Sequence, residues 1–158
     1  MTHPTTQPAL ARGSLAVVRR ARRARRTGAT VMEMALTLMV LLALSFGTVE
    51  FGHFFFLKNT VQGAAREGVR AAMTPGGSNM DVTAAVTSTL QAAGLTLSDF
   101  TTTVKVNGVV ANADSAAAGQ TIEVTVEATW GTVGLRPMGL IDSAKALRGV
   151  AVMRKEGA

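Results

Sequence analysis

The stretch Gly28-Ala29-Thr30-Val31-Met32-Glu33, followed over residues 34–49 by MALTLMVLLALSFGTV, decides how this chain is built. No charge falls within residues 34–49; Glu50 then intervenes, and the chain stays mostly apolar to Leu57. At about 1.5 Å per residue, residues 34–57 make roughly 36 Å of helix, enough to cross a hydrocarbon core of about 30 Å with some tilt. Leucine, methionine, alanine and phenylalanine dominate, no proline interrupts, and a helix satisfies its own backbone groups in lipid. The expectation is a transmembrane helix over residues 29–57.

Working back towards the amino end, Arg19, Arg20, Arg22, Arg23, Arg25 and Arg26 form a basic block just before the apolar run. Positive charge beside a first membrane helix stays on the cytoplasmic side, which sets the amino end inside and Lys58 onward outside. Residues 1–18 are rich in Thr, Pro and Ala without a period and read as disordered, so residues 1–28 form a basic cytoplasmic leader. With Arg12, that leader holds seven arginines and no acid, and the nine remaining basic residues face ten acids, about −1 for residues 29–158. The high pI of about 11.1 therefore belongs to the leader, and nothing in the body asks for nucleic acid. A soluble nucleic-acid binder with an arginine-rich arm is also contradicted by the hydrophobic run. The chain has no cysteine, hence neither a disulfide framework nor a thiolate site.

Glu33 needs a reason, because a carboxylate in the first turns of an apolar segment is costly in lipid. Counting Ala29 as position one, Glu33 is position five, and Gly28 lies immediately before. A basic leader, a glycine, a glutamate fifth and a long apolar helix resemble type IV pilin-like precursors. The closest likeness is to the TadE-like minor pseudopilins of tight-adherence (Flp-type) pilus systems. It continues through Glu50, Phe51 and Gly52, and through Ala64, Ala65, Arg66, Glu67, Gly68 and Arg70. The resemblance departs at His53, and at Met34, where major pilins of this type carry an aromatic; the second departure suits a pseudopilin. It implies cleavage between Gly28 and Ala29 by a prepilin peptidase. It also implies an inner-membrane location, an assembly role for Glu33, and other pilin-like subunits and an assembly platform as partners, serving cell adhesion and biofilm formation. Once cut, Ala29 carries an amine, and Glu33 has that amine, a neighbour's or its own, as charge partner. Ala43-Leu44-Ser45 offers an ordinary signal-peptidase site, but a cut there leaves Phe46, Phe51, Phe54, Phe55 and Phe56 opening a soluble protein and Glu33 unexplained.

Past Leu57 the helix is expected to continue over residues 58–73. Val61, Ala64, Ala65, Gly68 and Ala72 share one face, with Lys58, Gln62, Arg66 and Arg70 largely elsewhere. Gly63 and Gly68 each lower helix propensity by about 1 kcal/mol against Ala, so contacts must offset them. Pro75, Gly76 and Gly77 end this helix. Residues 74–158 then read as a small α+β outer domain. Ser78 or Asn79 caps a second helix with Val82, Val86, Leu90 and Ala93 on one face and Gly94 at its end. From Phe100 the period becomes two: Thr102, Val104 and Val106 alternate with Thr103 and Lys105, and Asn107-Gly108 turns the chain into Val109-Val110. Ile122, Val124, Val126, Ala128 and Trp130 face one way, with Thr121, Glu123, Thr125, Glu127 and Thr129 towards solvent. Residues 131–144 form an apolar loop that covers a core edge or, as the less common alternative, serves as a contact surface, and residues 146–154 form a last strand. The fold expected is a long amino-terminal membrane helix running into a second helix and an antiparallel sheet of about four strands.

Catalytic machinery is missing. His3 and His53 are the histidines; Glu50 and His53, spaced i, i+3, are placed to pair on one helix face. No metal site, phosphate loop, nucleophile motif, cofactor or small-molecule substrate site is legible. The chain is read as a structural subunit rather than an enzyme, against an uncleaved single-pass anchor displaying a binding domain.

Overall fold

The computed structural model describes residues 11–155, with side chains from Gly28 onward. His3, residues 1–10 of the expected disordered start, and the side chains of the arginine block lie outside that description. Helix α1 spans Ala11–Met73. It begins earlier than expected: residues 11–18, read as disordered, are its first two turns. Alanine, leucine and arginine favour helix there, and no proline stands between Pro8 and Pro75.

The chain forms two compact units, Met1–Ser45 and Phe46–Ala158, and α1 contributes to both. In the first, every described side chain from Gly28 to Ser45 is exposed, apolar ones included. A helix that is apolar all round and uncovered needs an apolar solvent. Among the described residues, Gly28–Met73 is the helix long and apolar enough, by length and composition, to cross a membrane, and it lies near the amino end.

In the second unit, α1 is followed by helix α2 (Asn79–Gln91) and by strands β1 (Phe100–Val106), β2 (Val109–Val110), β3 (Thr121–Thr129) and β4 (Ala146–Arg154). The fold is α+β. The sheet is antiparallel in the order β2-β1-β3-β4. Asn107 and Gly108, at φ 51° and 82°, make the tight turn that pairs Val106 with Val109. One face of the sheet carries Val104, Val106, Ile122, Val124, Val126, Ala128 and Leu147, and it is buried with Leu57, Val61, Ala64, Ala65, Val69 and Ala72 of α1. Val82, Val86 and Leu90 of α2 complete this core. Burying each such valine or leucine contributes about 1.5–3 kcal/mol.

The opposite face carries cross-strand ion pairs, Lys105 with Glu123 at 3.3 Å and Arg148 with Glu127 at 3.1 Å. Thr125, expected at solvent there, is buried: it sits between the paired Thr103 and Val150, and its hydroxyl donates to Glu123 Oε1 at 3.3 Å. Trp130 is buried as expected but lies beyond the strand, opening the short helix α3 (Trp130–Val133).

Ser78 caps α2 in a capping box. The Asp81 N–H donates to Ser78 Oγ, and the Ser78 N–H and hydroxyl donate to Asp81 Oδ2 at 2.9 and 2.7 Å. The Ser78 hydroxyl, then its N–H, hold the Asp81 carboxyl below its ordinary range. The Thr96 N–H and hydroxyl do the same to Asp99 just before β1. At the other end of α2, the Gly94 N–H reaches Gln91 O and the Leu95 N–H reaches Leu90 O, the paired bonds of a Schellman ending.

Candidate functional site

Gly28, Ala29 and Glu33 lie in the first unit with exposed side chains, and nothing stands within 4 Å of a Cβ placed on Gly28. The Glu33 carbonyl accepts the Thr37 hydroxyl at 2.9 Å, a local bond within α1. What the helix presents here is an acidic group on an otherwise apolar, uncovered rod.

Glu50 behaves differently. Its side chain is fully buried, 0% exposed, in the second unit. The Met138 N–H donates to Oε2 at 3.1 Å and the Ile141 N–H to Oε1 at 2.9 Å. Both oxygens are thus bound by the loop that follows α3, where Gly139 at φ 64° bends the backbone so that the two N–H groups converge. The expected pairing of Glu50 with His53 is not formed. His53 instead lies against Phe56 and Trp130, with ring centroids 6.1 and 5.9 Å apart, and Phe54 meets Trp130 edge-on at 5.3 Å. The two backbone N–H groups already occupy both oxygens of the carboxylate.

Of the other family-motif residues, Phe51 and Gly52 are exposed. Ala64, Ala65 and Gly68 are buried against the second unit's own core, so the small-residue face of α1 serves intrachain packing. A Cβ at Gly68 would stand 2.7 Å from Val86 Cγ2 and 3.2 Å from Val124 Cγ1, so α2 and β3 both close on this point. Arg66, Glu67 and Arg70 are exposed, and the Arg70–Glu67 pair at 3.9 Å is a surface contact of little energetic weight.

Gln62, expected off the packing face, is half-buried instead. Its Nε2 donates to Val150 O at 2.8 Å, and the Val150 N–H donates to its Oε1 at 3.3 Å. Its carboxamide thereby occupies the free side of β4, the edge strand, as a neighbouring strand would. Beside it, a Cβ on Gly149 would fall onto the Val61 carbonyl, so α1 touches the strand backbone directly. Sequence reasoning missed both the donors to Glu50 and the bonds of Gln62. The usable signals were an amide at the flank of a small-residue stripe and a glycine inside β4.

The charged and small residues of α1 can now be set beside known proteins. Residues 28–70 match a family model described as TadE-like protein. No curated protein and no solved structure matches the chain. The matched segment opens at Gly28 and takes in Glu33, the clasped Glu50, Gln62 and the Ala64–Arg70 motif residues, that is, both the uncovered rod and the part docked on the sheet.

Proposed function

We propose that the chain is a minor pilin-like (pseudopilin) subunit, cut by a prepilin peptidase between Gly28 and Ala29, that acts in the assembly of a tight-adherence pilus. The observation that carries this reading is the spacing Gly28, Ala29, Glu33 at the opening of the segment matched as TadE-like. The uncovered apolar side chains of residues 28–45 support it. Lipid covers them while the subunit waits in the inner membrane, and helices of other pilin-like subunits cover them after assembly. Cleavage gives Ala29 a free amine, cationic near neutral pH. Pairing that amine with the Glu33 carboxylate removes much of the cost of burying either charge alone and fixes the axial register between helices.

Amino-terminal sequencing of protein extracted from membranes tests the reading. A start at Ala29 is expected, and a bulky residue at Gly28 should leave the precursor uncut. A start at Met1 would make the chain an uncleaved anchor displaying its outer unit, and a start at Phe46 would make it a secreted protein; either overturns the proposal.

A further inference from the structure

The loop that clasps Glu50 presents an apolar surface of its own. Leu135, Met138 and Leu140 are 54%, 42% and 52% exposed, although their backbone is held against a buried carboxylate. The bonds from the Met138 and Ile141 N–H groups fix the loop against α1, so these side chains stay exposed by construction rather than by looseness. A Cβ on Gly47 would stand 3.5 Å from Leu140 Cδ1, which places the loop beside Gly47 and Glu50 on the helix. Phe46, Phe51 and Phe55, on the same stretch of α1, are also exposed. Counted along the sequence, this level lies about 20 residues beyond Gly28, roughly 30 Å of helix and the thickness of a hydrocarbon core. Arg136 stands exposed within the loop, where its long side chain can lie over apolar surface and reach lipid phosphates.

We infer that the loop over residues 135–140 is a membrane-seating element. Leu135, Met138 and Leu140 enter the boundary between headgroups and acyl chains of the bilayer that α1 crosses, and Glu50 is the clasp that aims them. The partner is the lipid surface, because the loop's exposed apolar side chains stand beside a stretch of the membrane helix that also exposes Phe46, Phe51 and Phe55. The inference rests on α1 as the membrane helix and is independent of leader cleavage and pilus assembly.

The absence of cysteine makes the test direct. Full-length Leu140→Cys, Met138→Cys, Leu38→Cys and Leu97→Cys variants, each labelled with an environment-sensitive nitrobenzoxadiazole dye, are placed one chain per nanodisc of phosphatidylethanolamine and phosphatidylglycerol. Lipid carrying a shallow nitroxide should quench the dye at 140 and 138 several-fold more than at 97, and iodide should do the reverse. The dye at 38 reports whether the helix is in the bilayer at all. Iodide access at 140 and 138 equal to that at 97, with the dye at 38 lipid-quenched, overturns the seating loop and leaves the membrane helix standing. Protection at 140 and 138 from both quenchers means that protein covers the loop and also overturns it. Failure of lipid quenching at 38 removes both readings. Before labelling, unchanged emission from Trp130, the single tryptophan, checks that each variant is folded.

Discussion

Gly63 and Gly68 cost α1 the same helix propensity, but their surroundings differ. Nothing lies within 4 Å of a Cβ at Gly63, whereas the space at Gly68 is filled by Val86 and Val124. Gly63→Ala should therefore stabilise the folded chain by up to about 1 kcal/mol, from propensity alone. Gly68→Ala should destabilise it, because overpacking strain of about 1–3 kcal/mol outweighs that gain. Denaturant unfolding in detergent, followed by Trp130 emission, checks both signs. Glu33 gives the residue-scale prediction for function. Glu33→Ala should reach the membrane in normal amounts, because removing a carboxylate does not hinder insertion, and it should be cut almost normally. Pilus formation should fail, while Glu67→Ala, on the exposed flank of α1, should be much milder; counting pili on cells carrying each variant decides, and wild-type pili with Glu33→Ala would remove the assembly role. Among the residues that matter, Gly68, Ala64 and Ala65 were legible because small residues repeated at helical spacing mark a face that another backbone approaches closely. Glu50 was legible as a motif residue but not as a clasp, since its donors are backbone N–H groups some ninety residues on, which leave no side-chain signature.

At the scale of elements, α2 offers the sharpest handle on electrostatics. Its capping box joins Ser78 and Asp81, whose carboxyl lies below its ordinary value in the folded chain because the Ser78 hydroxyl and N–H bond its ionised form. The sign follows: the lowered value stabilises the fold above the unfolded-state carboxyl range, and this contribution is lost as pH falls through the lower folded value. Asp81→Asn should thus be less stable than wild type at neutral pH, and the gap should close in acid; melting both chains across that range measures it. Ser78→Ala should cost about 1 kcal/mol at neutral pH. The elements themselves were readable for the same local reasons. The alternation along β3, the Asn107-Gly108 turn and the cap at Ser78 act within a few residues, so sequence displays them. The burial of Thr125 and the amide bond across the β4 edge depend on which strand and which helix turn become neighbours. Periodicity does not encode that choice.

For the molecule as a whole, the division at Ser45 and Phe46 sets expectations for topology and for the span. The arginine block and the weakly charged far flank predict a cytoplasmic amino end and an outer unit beyond the membrane. Reporter fusions placed just after Met73 should behave as extracytoplasmic, and cytoplasmic behaviour would reverse the orientation. The expected span over residues 29–57 overlaps the second unit, because Glu50 and Leu57 are buried there by protein. Two demands meet in residues 46–57: an apolar surface for lipid on one flank, and a packing surface for the loop and Trp130 on the other. A single apolar stretch in the sequence satisfied both, and hydropathy has no means to divide them.

The contact of the Val61 carbonyl with Gly149 carries a lesson about modularity. A helix that merely tethered a finished domain would be separable from it at the Pro75 turn. Here the tether is also an inner wall: β4 lacks a side chain at 149 because α1 lies against its backbone, and Val82, Val86 and Val124 close on Gly68 two turns further along the same face. A fragment starting at Thr74 would lose that wall and leave its core open to water, so it should aggregate rather than fold. The natural seam for recombination or truncation therefore falls inside the long helix, near Phe46, and not where the helix stops.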